Sequence, residues 1–204
     1  MKFKLSPRAA LVIIAALFLL PLLSAWLMYS GVIDYQPIST RNYGTLVEPP
    51  VPVDLQELGV RPLDGRSFEE LDEHWTVLHV VPAECPETCL QAITSLRQVH
   101  RSAGRNQKRI RLLLLLQQPV ADAIVQKLHS IYPSFLLAAD ESEQLEPMLA
   151  RLAVAGGGKQ AIPGSTYLID PIGNIMMHYG PESDPNDLKS DLKRLLTWSK
   201  LDEQ

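Results

Sequence analysis

From Ala9 to Tyr29 the chain carries no charge and is almost wholly apolar. At 1.5 Å of rise per residue such a run crosses a hydrocarbon core of roughly 30 Å. It predicts a membrane helix over 9–29, in which Pro21 is a tolerated kink. The pattern then loses its period. Residues 30–54 include Pro37, Pro49, Pro50 and Pro52 and predict an extended spacer. From 55 to 204 short apolar runs alternate with amphipathic ones, the pattern of an α/β domain.

Within that domain, Arg61 to Phe68 predicts a short hairpin turning at Asp64-Gly65. Val77 to Val81 is a short apolar strand, and a helix runs from Leu90 to about His100. Arg109 to Leu116 contains an unbroken run of leucines, expected of a strand covered on both faces. Pro119 opens an amphipathic helix to Tyr132, with Val120, Ile124 and Leu128 on one face. Ser134 to Ala138 predicts a strand, Ser142 to Val154 a helix, and Gly156 to Gly158 a flexible loop. Ser165 to Asp170 and Asn174 to Tyr179 predict two strands around a Pro171-Ile172-Gly173 turn. A closing helix from Asp187 to Ser199 carries Leu188, Leu192, Leu195 and Leu196 as its stripe. This order implies a central mixed sheet with helices on both faces.

Charge then orients the chain. Lys2, Lys4 and Arg8 precede the apolar run, whereas Asp34 and Arg41 are the first charges after it. By the positive-inside rule residues 1–8 stay cytoplasmic and the rest is exported, a single-pass inner-membrane protein with a periplasmic domain at 55–204. A cleaved signal peptide has an apolar region of about 7–15 residues. Here the run continues through Trp26 to Tyr29, which favours an uncleaved anchor held in the lipid bilayer by 9–29. A formal charge of −4 argues against nucleic acid as a partner. The cluster Arg101, Arg105, Lys108, Arg109 and Arg111 reads as solvated loop and strand-end charge.

Candidate chemistry lies in one turn. The only two cysteines, Cys85 and Cys89, fall between the Val77–Val81 strand and the helix after it. Unpaired N–H groups and the helix dipole at a helix start favour a thiolate. Sulfurs at i and i+4 share a face, near enough for a soft metal ion or, with local adjustment, a disulfide. Glu84 and Glu87 flank Cys85 and oppose its ionisation through like charge.

These features resemble a known family. The strand–cysteine turn–helix, the apolar-Pro step at Ile162-Pro163 and the strand pair after it are similar to a thioredoxin-like domain. The anchor, Leu63 to Phe68, the Cys85-x-x-x-Cys89 spacing and Tyr167-Leu168-Ile169-Asp170-Pro171-Ile172-Gly173 resemble the SCO/SenC type, membrane-anchored copper-handling assembly factors of cytochrome c oxidase. The resemblance implies Cu(I) delivery or thiol maintenance at Cys85 and Cys89, with an oxidase subunit or a copper or thiol protein as partner. Two departures qualify it. Leu90 follows Cys89 where the family has proline, and Gln160 to Ser165 contains no histidine where the family has its third copper ligand. Ile162-Pro163 instead resembles the cis-proline step of thiol–disulfide proteins.

Two thiolates suit Cu(I) by softness, and a third ligand tightens such a site. His79, six residues before Cys85, is the best placed histidine, set against the plainer reading of a partly buried strand residue. His178 reads as an exposed strand residue, and His74, His100 and His129 as surface residues. A thiol–disulfide oxidoreductase without metal asks less: Cys85 attacks and Cys89 resolves. A structural staple gains little from closing so short a loop. A non-catalytic docking module for a respiratory complex is the third class.

Overall fold

A computed structural model describes residues 6–30, 41–117, 121–140 and 163–199 of the chain, in two compact units. The first holds helix α1, Pro7–Tyr29. Ser6 caps it by accepting from the Ala9 N–H at 3.3 Å, and Pro7 starts it, where the missing N–H costs nothing. Within it Pro7–Leu27 is long and apolar enough to cross a membrane, and its large side chains, Phe18 and Leu22 among them, are exposed.

The second unit, from Asn42 on, is built on one seven-stranded mixed sheet. Its elements are β1 (Thr45–Pro52), β2 (Val60–Pro62), β3 (Trp75–Val81), α2 (Glu87–Ser102), β4 (Ile110–Leu116), α3 (Asp122–Ile131), β5 (Phe135–Asp140), β6 (Thr166–Ile169), β7 (Asn174–Tyr179) and α4 (Pro185–Trp198). The strand order is β1-β7-β6-β3-β4-β5-β2. β3, β4 and β5 run parallel, while β6, β7, β1 and β2 are antiparallel to their neighbours. The central strands β3 and β4 are apolar and buried on both faces, as the leucine run predicts.

One face carries the apolar stripes of α2, α3 and α4, with Ile93, Leu128 and Leu192 packed on Val77, Leu114 and Leu168. The other is covered by the stretch between β1 and β3, where Leu55, Val60 and Phe68 meet Leu78, Leu113 and Tyr167. A 3-10 helix, Phe68–Leu71, belongs to that cover. The fold is the expected thioredoxin-like α/β arrangement.

Several expectations change. The proline-rich stretch is not spacer throughout, because Thr45–Pro52 pairs with β7 as an edge strand (Thr45 with His178, Val51 with Ile175). Proline is tolerated there because an edge strand needs only half its N–H groups for the ladder. Arg61 to Phe68 is not a hairpin. Val60–Pro62 pairs with β5, Gly65 takes a positive φ of 72°, and Asp64 ties back to the backbone N–H and guanidinium of Arg66. That turn delivers the chain into the Ser67-capped 3-10 helix instead of a second strand. The basic cluster is only partly solvated: Arg109 donates to the carbonyls of Leu196 and Ser199, and Arg111 to that of Glu70. The helix expected from Pro119 begins at Asp122. Pro119 and Val120, the helix Ser142 to Val154 and the loop Gly156 to Gly158 lie outside the described residues.

Candidate functional site

β3 aims its C-terminal end at the cysteine turn. Val81, its last residue, is fixed by the Gln117 N–H on one side, and Val80 by Ser165 and Gly164 on the other. Four residues later comes Cys85, then Pro86 at the N-cap of α2 and Cys89 within the first turn. Cys85 therefore precedes the helix rather than lying in it. That offset is the local adjustment the pair needs: Cα–Cα is 5.3 Å, inside the range a disulfide spans, and the two sulfurs are joined. No side chain caps α2, so its first N–H groups stay available beside the sulfurs. Both cysteines are half-buried against the apolar cluster of the α2 face, while Glu84 and Glu87 are exposed.

Pro163 arrives at the same end of the sheet. Gly164, next in the chain, donates to the Val80 carbonyl at 2.8 Å and accepts a Cβ-free approach of Pro181. Its φ of +93° suits glycine. Pro163 itself is exposed, and the conformation of its bond to Ile162 lies outside the described residues. Gln160 to Ile162 lie outside them as well.

The histidines divide differently from expectation. His79 is a strand histidine, only 2% exposed, with Nδ1 at 2.9 Å from Thr166 Oγ1. Burial alone holds its pKa down at about 4, so it is neutral at pH 7. His100 is buried, not a surface residue: it contacts the Tyr132 hydroxyl and the carbonyls of Gln107 and Ile110. Desolvation lowers its pKa against those carbonyls, with help from Arg111. His178 is half-buried rather than exposed, its ring 5.0 Å from that of Tyr167 on the neighbouring strand. Burial lowers its pKa and raises that of Tyr167 to about 12. His74 is half-buried, its Nδ1 2.6 Å from the Asp72 carbonyl, and His129, also half-buried, lies 4.0 Å from Asp64.

Sequence reasoning missed Asp191, 1% exposed beneath α4. Its carboxylate accepts from the N–H groups of Tyr43 and Gly44 and from the Tyr179 hydroxyl. The signal was an acidic residue three positions after Leu188, on the apolar stripe itself.

As a cation site the turn supplies, once reduced, two thiolates. Among the described residues no three His, Cys, Asp or Glu side chains gather as a metal cluster. The chemistry that the geometry supports unaided is a reversible dithiol–disulfide couple.

A family model for a transmembrane-like, thioredoxin-like, C-terminal domain matches residues 75–199. Solved structures share the fold. Apo Sco1 from Thermus thermophilus is 17% identical, aligns over 78% of this chain and 99% of its own, and has a TM-score of 0.54. Copper-bound yeast Sco1 is 14% identical over 79% and 96%, at 0.54. The thioredoxin domain of a thiol-disulfide oxidoreductase from Bacteroides vulgatus is 12% identical over 75% and 97%, at 0.50. At such identities the likeness is one of fold. No curated protein sequence matches the chain.

Proposed function

The chain belongs to the family of transmembrane-like, thioredoxin-like C-terminal domains, and from that premise we propose that it is a membrane-anchored dithiol–disulfide protein acting on exported partners during cytochrome c oxidase assembly. Cys85 is the attacking thiolate and Cys89 the resolving one. One observation carries this reading: the two sulfurs are joined across the N-cap of α2, half-buried, at the C-terminal end of β3. The oxidase as target rests on the resemblance to SCO/SenC proteins, and the exported side on Lys2, Lys4 and Arg8.

Full-length protein equilibrated in glutathione buffers should pass between two states with a single midpoint. A Cys89→Ser variant should accumulate a mixed disulfide on Cys85, because nothing resolves it. A pair that never exchanges with glutathione removes the redox reading.

Delivery of Cu(I) is the second reading, with copper as cargo rather than resident cofactor. It is favoured by two soft sulfurs with Cα atoms 5.3 Å apart, and copper-bound yeast Sco1 shows the same fold holding the ion. The reduced protein should then win Cu(I) from a chelating competitor at least about 100-fold better than the Cys85→Ser/Cys89→Ser double variant, an interaction worth roughly 2.7 kcal/mol. Equal competition by the two proteins ends the copper reading and leaves the redox one standing.

A further inference from the structure

The cysteine turn occupies the C-terminal end of β3. Where β4 and β5 begin, at the other end of the sheet, lies a cavity of about 490 Å³. That volume falls within the roughly 300–1,000 Å³ of small-molecule sites. Trp75 pairs with Ile110 at this end, and Val81 ends β3 at the other, about 20 Å away at the usual rise per strand residue. The cavity is therefore separate from the cysteine site.

Its titratable groups come from four places in the fold. Lys108 and Arg111 stand at the entrance of β4, His100 at the end of α2 and Tyr132 before β5, while Arg66 and Glu70 belong to the segment covering the opposite face. Arg66 is neutralised by Asp64, whose carboxylate accepts from Nε at 2.8 Å and Nη2 at 2.7 Å. Carbonyls only accept, so His100 Nε2 carries the hydrogen that meets those of Gln107 and Ile110, and Nδ1 accepts from the Tyr132 hydroxyl. Desolvation lowers the His100 pKa, so this ring is neutral at pH 7.

Lys108 and Arg111 remain, set against Glu70. Arg111 is held by main-chain carbonyls alone: Nε donates to that of Glu70 at 3.0 Å, and Nη1 to those of Lys108 at 3.0 Å and Ile110 at 3.3 Å. Carbonyls fix a guanidinium in place without cancelling its charge. Among the described residues neither Arg111 Nη2 nor the Lys108 ammonium has a hydrogen-bonding or ion-pairing partner. Burial lowers the Arg111 pKa, with Glu70 opposing, so this cation is partly desolvated.

Such a cavity suits an anion, and the committed donors say of which kind. A carboxylate pairs best with two parallel N–H donors on one edge of a guanidinium. Here carbonyls already occupy a nitrogen on each edge, Nε and Nη1. Single donors from different residues are left, and these suit a phosphate, whose oxygens accept from several directions.

We propose that this cavity binds a phosphate group, held by Arg111 Nη2 and the Lys108 ammonium and weakened by the Glu70 carboxylate. The phosphate is that of a soluble phosphorylated molecule or of a lipid headgroup, and the recognised chemistry is the same. The site stands independently of the redox reading.

The test is phosphorus NMR line broadening of inorganic phosphate by full-length protein in a maltoside detergent, which carries no phosphate, with ionic strength fixed by sodium chloride. Lys108 is exposed, and Lys108→Gln should weaken binding by about 10-fold. Glu70→Gln should tighten it by about threefold, a gain that damage to the fold does not produce. Equal affinity in wild type and Lys108→Gln, or no gain in Glu70→Gln, overturns the site. Nanodiscs of phosphatidylglycerol then separate the two sources. A headgroup that fills the cavity abolishes the difference between wild type and Lys108→Gln, whereas a soluble ligand leaves that difference standing.

Discussion

Replacing Asp191 with alanine is expected to cost the thioredoxin-like domain about 4 kcal/mol of stability. The carboxylate is 1% exposed and accepts three hydrogen bonds, from Tyr43 N–H at 2.9 Å, Gly44 N–H at 3.0 Å and Tyr179 hydroxyl at 3.0 Å. Arg194 adds a charge contact at 3.4 Å. Alanine leaves two backbone donors and a buried hydroxyl without acceptors, and each orphaned group costs about 1–3 kcal/mol. The cost cannot be relieved by a small shift. Gly44 is already pressed on the Tyr179 ring, where even a Cβ would come within 2.6 Å. Asparagine keeps one acceptor oxygen and should cost about half as much. Denaturant unfolding of the full chain, compared with the exposed Lys189→Ala, reads the effect. A midpoint no lower than that control would show that Asp191 does not hold the start of the domain to α4.

Asp191 also shows where sequence reasoning stops. The strands β3 and β4 were legible because apolar runs bounded by charge and turn residues have one economical solution, burial on both faces of a sheet. The cysteine turn was legible because strand, cysteines and helix are consecutive, so local order fixes their neighbourhood. What escaped was decided by residues far apart in the chain. Thr45–Pro52 becomes a strand because β7 offers it an edge, and the prolines that hid it are compatible with that edge. His100 is buried because Tyr132 and the carbonyls of Gln107 and Ile110 converge on it, a pairing no helical period announces. Asp191 reads as an ordinary polar interruption of a helix until the chain 147 residues earlier supplies its donors. For the same reason the cysteine pair was found by inspection, while the partner of His79 required the sheet: positions 79 and 166 meet only as paired residues of β3 and β6.

Acid should unfold the wild type more steeply than a His79→Leu variant, by about 2 kcal/mol between pH 7 and pH 5. His79 titrates near the ordinary histidine value of 6.5 in the unfolded chain but only at about 4 in the folded one, because burial disfavours the imidazolium. Between those values the unfolded state binds the extra proton, so stability rises with pH across the window. The contribution is fully present above 6.5 and is lost as pH falls toward 4. Leucine cannot bind that proton in either state, and this part of the slope disappears with it. His100 and His178 are shifted in the same direction and keep a residual slope in the variant, which makes the difference between the two proteins the quantity to measure. The comparison stops at pH 5 because carboxylates enter below it, among them Asp64, held low by the Arg66 guanidinium against the desolvation that opposes it. Parallel stability curves for wild type and His79→Leu from pH 7 to 5 would mean that the folded protein accepts a proton at His79 as readily as the unfolded chain does. The buried imidazole in β3 would then not be held neutral by its surroundings. A difference near 2 kcal/mol, with the variant the flatter of the two, would establish a neutral imidazole in the folded protein before any exchange reaction is run.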